Sequence, residues 1–545
     1  MKLYRSVRSL AMILCLCLLL TACGGGTRTT PAEGGGTSAG GTASGGASGG
    51  AAEAGGGTLT IAIQDEVEGC DVQQVTWTNV VHELIYEPLV VFSPDLSEIQ
   101  PSFAESYSVT NDYIEFVLPA DAKFSNGDAL DANALKASVD RYLAISDYAG
   151  DLDAVSDIEV VDERTVRYNL TGPAPYMWCS IASIFGGVVD VAVAETVGDE
   201  EFNRQPVANG LYYVDEWVQG SQITLKRNEY FKTANPNLTN KGAAPFDTIV
   251  IRFIPDEFTR VSELESGDVD IIYNVPTTSM ADLEANPDVN VYNYLQPGVS
   301  FLNLQTGKGL LEDANVRMAL SYAVDRDELN AALDGVVTPT YGFISEAQAG
   351  YSAAEEAKLA GELAFAPDKA KQLLADAGWA DVDGDGILEK DGQKLSFEML
   401  LPSDRASLKA SGPVLQKQFA AIGVDAQIRE YEADYIKQQM REDAYDMGSR
   451  NFEWADADIL YYVFTEESGY QWDDPAVTAA LVTARQENDT AKRVDAYAAA
   501  SELLAKDFKA ISLFADNYII ATKGNINGLI VTNDGRSWLS DVTKN

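Results

Sequence analysis

The residues able to do chemistry are few in kind. The 545-residue chain holds a single histidine, His82, beside 83 aspartates and glutamates. One imidazole rules out a multi-histidine metal site and leaves little from which to build a Ser-His-Asp triad. Gly36-Thr37-Ser38-Ala39-Gly40 has the spacing of a hydrolase nucleophile turn. That turn needs a strand before it and a helix after it, and a run of Gly, Ala, Ser and Thr supplies neither. Asp381-Val382-Asp383-Gly384-Asp385-Gly386 opens like a calcium loop, but the twelfth position is Gly392 where a bidentate glutamate belongs. It reads as a surface turn, with a weak structural calcium as the alternative. No cofactor, metal centre or catalytic constellation follows, so the acids point to binding and not to catalysis.

The segments that position these residues begin with an export signal. Lys2, Arg5 and Arg8 precede an apolar run of eleven residues, Leu10 to Leu20, too short to span a bilayer as a mature helix. Leu20-Thr21-Ala22-Cys23 then reads as a lipobox, which predicts cleavage after residue 22 and lipid on Cys23. Residues 24–57, 34 in all, are almost entirely Gly, Ala, Ser and Thr. They cannot bury a core and predict a flexible tether with a reach of roughly 30 Å. Of five cysteines, Cys15 and Cys17 leave with the signal and Cys23 is lipidated. Cys70 and Cys179 remain in an oxidising compartment, and the sequence leaves open whether they pair.

The remainder, from Thr58, is too long for one core and predicts two or three lobes. Cleavage removes three bases and no acids, so 36 Lys and Arg face 83 acids, a net charge of −47. Polyanions such as nucleic acids are poor partners for such a chain. The excess reads either as affinity for cationic solutes or as a solubility adaptation, and the even spread of acids favours the latter. Leu59, Ile61 and Ile63 alternate as a first strand, followed by an acidic loop from Gln64 to Val75. Asp131 is placed to cap a helix with Leu135, Val139, Tyr142 and Leu143 on its apolar face. Asp325 and Glu328 have capping-box spacing, and Pro367 and Gly378 bracket a further helix. Leu395 to Leu401 as a strand, Pro413 to Ile422 as a helix and Val424 to Ile428 as a strand make a β-α-β unit, hence an α/β lobe.

Against this background the chain resembles the dipeptide, oligopeptide and nickel class of bacterial extracellular solute-binding proteins, family 5. The resemblance is carried in order by Ile85-Tyr86-Glu87-Pro88-Leu89, by Glu105-Ser106-Tyr107 through Lys123-Phe124-Ser125-Asn126-Gly127-Asp128, and by Val160 to Val166. It continues through Pro206-Val207-Ala208-Asn209-Gly210-Leu211-Tyr212, Leu225 to Asn228, Glu265 to Asp270 and Val316 to Arg326. Two departures stand out: Pro119-Ala120-Asp121-Ala122 replaces a basic, glycine-containing turn, and Asn209 replaces a threonine.

The resemblance implies a two-lobed α/β binding-protein fold of type II, with an inserted domain and two crossover strands. One lobe would comprise 58–101, 206–298 and 515–545, the inserted domain 102–205 and the second lobe 299–514. It implies a lipid-anchored monomer outside the cytoplasmic membrane that captures a solute, most simply a peptide, and hands it to an ABC permease. Other solutes (an oligosaccharide, opine or metal chelate), a peptide-sensing receptor, or least of all a secreted hydrolase are the competing readings. In peptide-binding members an acid in a Trp- and Asp-containing segment holds the ligand's ammonium. The matching segment here runs from Asn451 to Tyr462 and leaves Asp456 and Asp458 as alternatives, with Trp454 and Tyr461 as aromatic wall. Both acids otherwise read as caps of a helix from Ile459. Asp65 and Glu66, after the first strand, and Phe301 with Asn303, just beyond the lobe crossover, are further candidates for the cleft wall; packing or surface roles explain them equally well.

Overall fold

Thr58–Ile63 alternates as expected, with Leu59 and Ile61 fully buried, and is paired in parallel on both sides, to Thr248–Phe253 and to Ile271–Ile272. The computed structural model describes residues 56–469 and 474–545, so the expected lipidation site Cys23 and the pentad 36–40 lie outside the described residues. From the first strand a mixed sheet of twelve strands grows in both directions. One arm continues through Thr248–Phe253 and Gln222–Arg227 to Tyr212–Val218. The other passes through Ile271–Ile272 to the long strand Ala510–Lys523, then to Gly298–Leu304, Met447–Glu453, Ser396–Pro402 and Asp425–Tyr431. A separate four-stranded antiparallel sheet joins Ser106–Val109, Tyr113–Val117, Thr165–Leu170 and Val155–Val160.

Three principal cores follow this division. One gathers Leu59, Ile61, Ile223, Ile251, Ile271 and Ile520. A second, beneath the four-stranded sheet, holds Phe103, Phe116, Leu135, Val139 and Val166. The third unites Phe301, Leu320, Leu401, Phe419 and Leu504. This is the two-lobed α/β architecture, with Ala510–Lys523 contributing to both lobes.

Local signals explain most element ends. Asp131 accepts hydrogen bonds from the amides of Asn133 and Ala134 and caps Ala132–Ile145. Pro367 opens Pro367–Asp376, and Gly378 follows it with φ +89°. Asp325 caps Arg326–Ala332, but Glu328 does not reach back to complete a capping box. Its carboxylate instead takes Lys417 at 2.6 Å and Gln418 at 2.9 Å. The β-α-β unit is present, with Ser396–Pro402 parallel to Asp425–Tyr431. Its helix, however, is Ala406–Ala420 with Pro413 inside it, not a helix beginning at Pro413. Buried Leu408 lies before the proline and Leu415 and Phe419 after it. Continuous packing of that face against the sheet outweighs the hydrogen bond the proline removes.

Cys70 and Cys179 are buried free thiols, so the disulfide left open by the sequence is not formed. Desolvation dominates at both and pushes the Cys70 thiol up to about 12. Asn209, the departure from the family pattern, is a buried clamp: Nδ2 donates to the Glu87 carbonyl at 2.7 Å and Oδ1 accepts from the Glu87 amide. Among the described residues no helix is long and apolar enough to cross a membrane.

Candidate functional site

The long strand Ala510–Lys523 changes partners midway. Asn517 to Lys523 pairs with Val289–Leu295, while Ala510 to Phe514 pairs with Gly298–Leu304. Its side chains are buried on both sides of this switch, but Asp516, Asn517 and Tyr518 are only partly covered. Gln296 and Pro297 make the neighbouring crossover. Gln296 donates its amide to the Asp516 carbonyl, and Trp454 donates its amide to the Pro297 carbonyl. Gly298, directly after it, has no room for a side chain, since a Cβ there would lie 1.9 Å from the Phe452 carbonyl oxygen. The switch is therefore a close junction of both lobes, with a short polar interruption at its centre.

Strand alternation brings particular groups to this junction. Asn451 and Glu453 lie two apart at the end of Met447–Glu453 and so share a face, with Ser300 paired opposite Asn451. Ser300 donates to Asp516 at 2.9 Å, and Tyr518 stands directly across from Tyr294. Glu453 is exposed by area, yet its carboxyl is raised above the ordinary range, by desolvation first and by the Asp516 charge second. The side chain is thus reached by solvent while protein surrounds it closely enough to disfavour its charge. Asp516 is raised by the same desolvation, against the Ser407 and Ser300 hydroxyls and the Arg405 charge, which favour its ionised form. Across the junction Glu83 is raised to about 7, again by desolvation, with Arg536 and the Ser537 amide opposing it. Trp454, Tyr294 and Tyr518 pack, partly buried, on the first-lobe core, so a second-lobe tryptophan reaches over the first lobe.

The residues singled out from sequence divide sharply. Trp454 is at the junction, and Asp65 is exposed near it, close enough for its charge to act on Arg260 and Tyr518. Glu66 is a structural brace, accepting from Trp217 Nε1 at 2.8 Å and from the Gly220 amide. Phe301 is inside the second-lobe core, against Phe343 and Phe464. Asn303 is buried and donates to the Tyr445 hydroxyl at 2.6 Å.

Asp456 is 1% exposed and grips Arg493 through both oxygens, at 2.7 and 2.8 Å. Asp458 does not cap the helix Ile459–Phe464 through its side chain, because its carboxylate turns to Arg485 and to the Tyr497 hydroxyl. Desolvation raises Asp458 to about 6 against the Arg485 charge. Tyr461 stacks under that guanidinium at 4.1 Å. These four acids and bases form a buried ion network with its charges already matched. Asp381, Asp383 and Asp385 do converge at the surface, but the Lys394 ammonium bridges Asp383 and Asp385. A small cavity of about 30 Å³ behind Gln73, Ser138 and Tyr168 has room for about one water and not for a peptide.

Sequence reasoning missed Glu453, Asp516 and Glu83. Glu453 adjoins Trp454, and period-two reading of Met447–Glu453 would have found it; nothing local marks Asp516 or Glu83.

A sequence profile of "Bacterial extracellular solute-binding proteins, family 5 Middle" matches residues 98–472. The chain is 29% identical over 259 residues to the oligopeptide-binding protein AppA of Bacillus subtilis (strain 168), a match spanning 47% of this chain and 46% of that protein. It is 24% identical over 469 residues to the probable D,D-dipeptide-binding periplasmic protein DdpA of Escherichia coli (strain K12), covering 82% and 85%. Among solved structures it is similar to NikA from Brucella suis in complex with Fe(III)-EDTA, with a TM-score of 0.79 at 21% identity, covering 90% of this chain and 100% of that one.

Two outcomes follow. Asp456→Asn leaves the Arg493 charge buried and unmatched and should lower unfolding free energy by about 3–5 kcal/mol in denaturant titration; unchanged stability would show that the pair is dispensable. Glu83 binds its proton more tightly folded than unfolded between pH 4.5 and about 7. Its contribution to stability therefore falls as pH rises through that window. Glu83→Gln should raise the melting temperature at pH 8 relative to wild type and do so less at pH 4.5; equal differences at both values would contradict the assignment.

Proposed function

The chain belongs to the bacterial extracellular solute-binding proteins of family 5, and on that premise we propose that it is the lipid-anchored solute receptor of an ABC importer, taking a peptide into the junction between its lobes. The observation that carries this reading is the meeting of Glu453 and Asp516 at the strand switch, beside Tyr294, Tyr518 and Trp454. An ammonium placed there would replace the hydration that burial has removed from both carboxyls. Arg405, at the N-terminus of Ala406–Ala420, acts on the same two acids and offers the opposite charge to a zwitterion. The aromatic rings supply apolar wall for side chains without demanding one shape.

Because the groups come from both lobes, a bound solute favours the closed arrangement through contacts that the open one lacks. Anchoring through Cys23 and the 34-residue tether would keep this exchange next to the permease. Calorimetric titration with a short peptide, free and N-acetylated, tests the reading. Glu453→Gln should weaken the free-amine peptide by roughly 2–4 kcal/mol and spare the acetylated one. Equal affinity of wild type for both peptides would remove the ammonium from the account.

A further inference from the structure

We infer that the first lobe carries a second cation subsite, formed by Glu83 with Tyr273, Tyr294 and Tyr518, and that the solute therefore bears a positive side chain besides its amino terminus. This rests on the assignment of the lobe junction as the solute site. Most of the protein's other buried acids are paired with cations. Asp71 meets Arg141 at 2.7 Å, Asp270 meets Lys544 at 2.8 Å, and Asp456 and Asp458 meet Arg493 and Arg485. Some buried or largely buried acids without a cation are held by two donors, Glu87 by the hydroxyls of Ser102 and Thr233 and Glu356 by the amides of Tyr341 and Gly342, while Asp190 and Asp151 accept one bond each, from the Val193 amide and the Ser180 hydroxyl.

Glu83 belongs with the single-donor acids, and its charge acts on a cluster of tyrosines. It forms no ion pair among the described residues and accepts one hydrogen bond, from the Ser537 amide at 2.9 Å. Arg536 acts on it only at a distance, and its guanidinium donates to the Ala182 carbonyl.

Around it stands an aromatic group of matching kind. Tyr518 lies 5.6 Å from Tyr294 and 6.4 Å from Tyr273 between ring centroids. The hydroxyl of Tyr294 is buried without a hydrogen-bond partner, and Tyr273, 4% exposed, has only the Ser537 hydroxyl beside its own. The Glu83 charge acts on all three rings, and those of Glu453 and Asp65 also reach Tyr518. Aromatic faces and a carboxylate together suit an ammonium or guanidinium, which satisfies both by charge and by hydrogen bonds. Both the Glu83 and the Glu453 charges reach Tyr518, so two cations on one solute would share that ring.

The test titrates the full chain, as wild type, Glu83→Gln and Tyr518→Leu, with Ala-Lys-Ala, with its norleucine isostere and with 1,5-diaminopentane. Glutamine keeps an acceptor for the Ser537 amide, and thermal melts verify that each variant is folded. Wild type should favour the lysine peptide over the isostere by about tenfold, and both variants should largely abolish that preference. Absence of the preference in wild type, or its survival in Glu83→Gln, overturns the subsite. Diamine binding that Glu83→Gln weakens, with neither peptide bound, would reject the peptide reading and keep the subsite. Failure of all three probes overturns both.

Discussion

A single strand, Ala510–Lys523, is hydrogen-bonded into both lobes, and its pairing sets where anything else can go. A β-strand's backbone groups must be satisfied along its length, so a strand shared by two sheets has to change partners somewhere. Here the change falls between Phe514 and Asn517. There Val337–Pro339 pairs with Phe514 to Asp516, and the partly covered residues are Asp516, Asn517 and Tyr518, in place of the buried Ile, Leu, Phe and Ala on either side. The polar interruption at the lobe junction is thus a consequence of topology, and its chemistry is what the switch residues, their cross-strand neighbours Tyr294 and Ser300, and Glu453 bring.

Charge is organised around the same distinction. The acids that hold the second lobe together, Asp456 and Asp458, are matched by Arg493 and Arg485 and closed off from ligand chemistry. The acids at the junction are desolvated but undermatched, so their carboxyls are raised by burial more than neighbouring cations lower them. A desolvated carboxylate without a full complement of partners is destabilising in the empty protein. A proton offsets that cost below the raised pKa, and on the proposed reading a bound cation would offset it above, favouring solutes that carry one.

Much of the fold was legible because local chemistry and packing agree there. Asp131, Pro367 and Gly378 mark helix ends through their own backbone preferences, and the β-α-β unit shows in its alternating and helical periods. Pro413 looks like a helix start because its intrinsic cost is local, whereas the apolar face that Leu408, Leu415 and Phe419 extend through it is fixed by packing on the sheet. The site was harder to read. Trp454 was visible as an aromatic in an acidic segment, but the acids beside it were legible only as types. Whether a carboxylate meets an arginine 37 residues away, as Asp456 does, is a tertiary fact. Phe301 lies on a strand buried on both faces, where sequence position near a crossover says nothing about orientation. Glu83 and Asp516 acquire meaning only when a helix near the start and a strand near the end of the chain meet.

The central claim is that this junction is a receptacle for a small cationic solute shared by both lobes. The most direct measurement is mass spectrometry of whatever leaves the natively purified full chain on denaturation. Recovery of peptides with free amino termini, enriched in lysine or arginine, is the expected result. Recovery of a neutral sugar or an anionic chelate instead would contradict the account while leaving the two-lobed fold untouched.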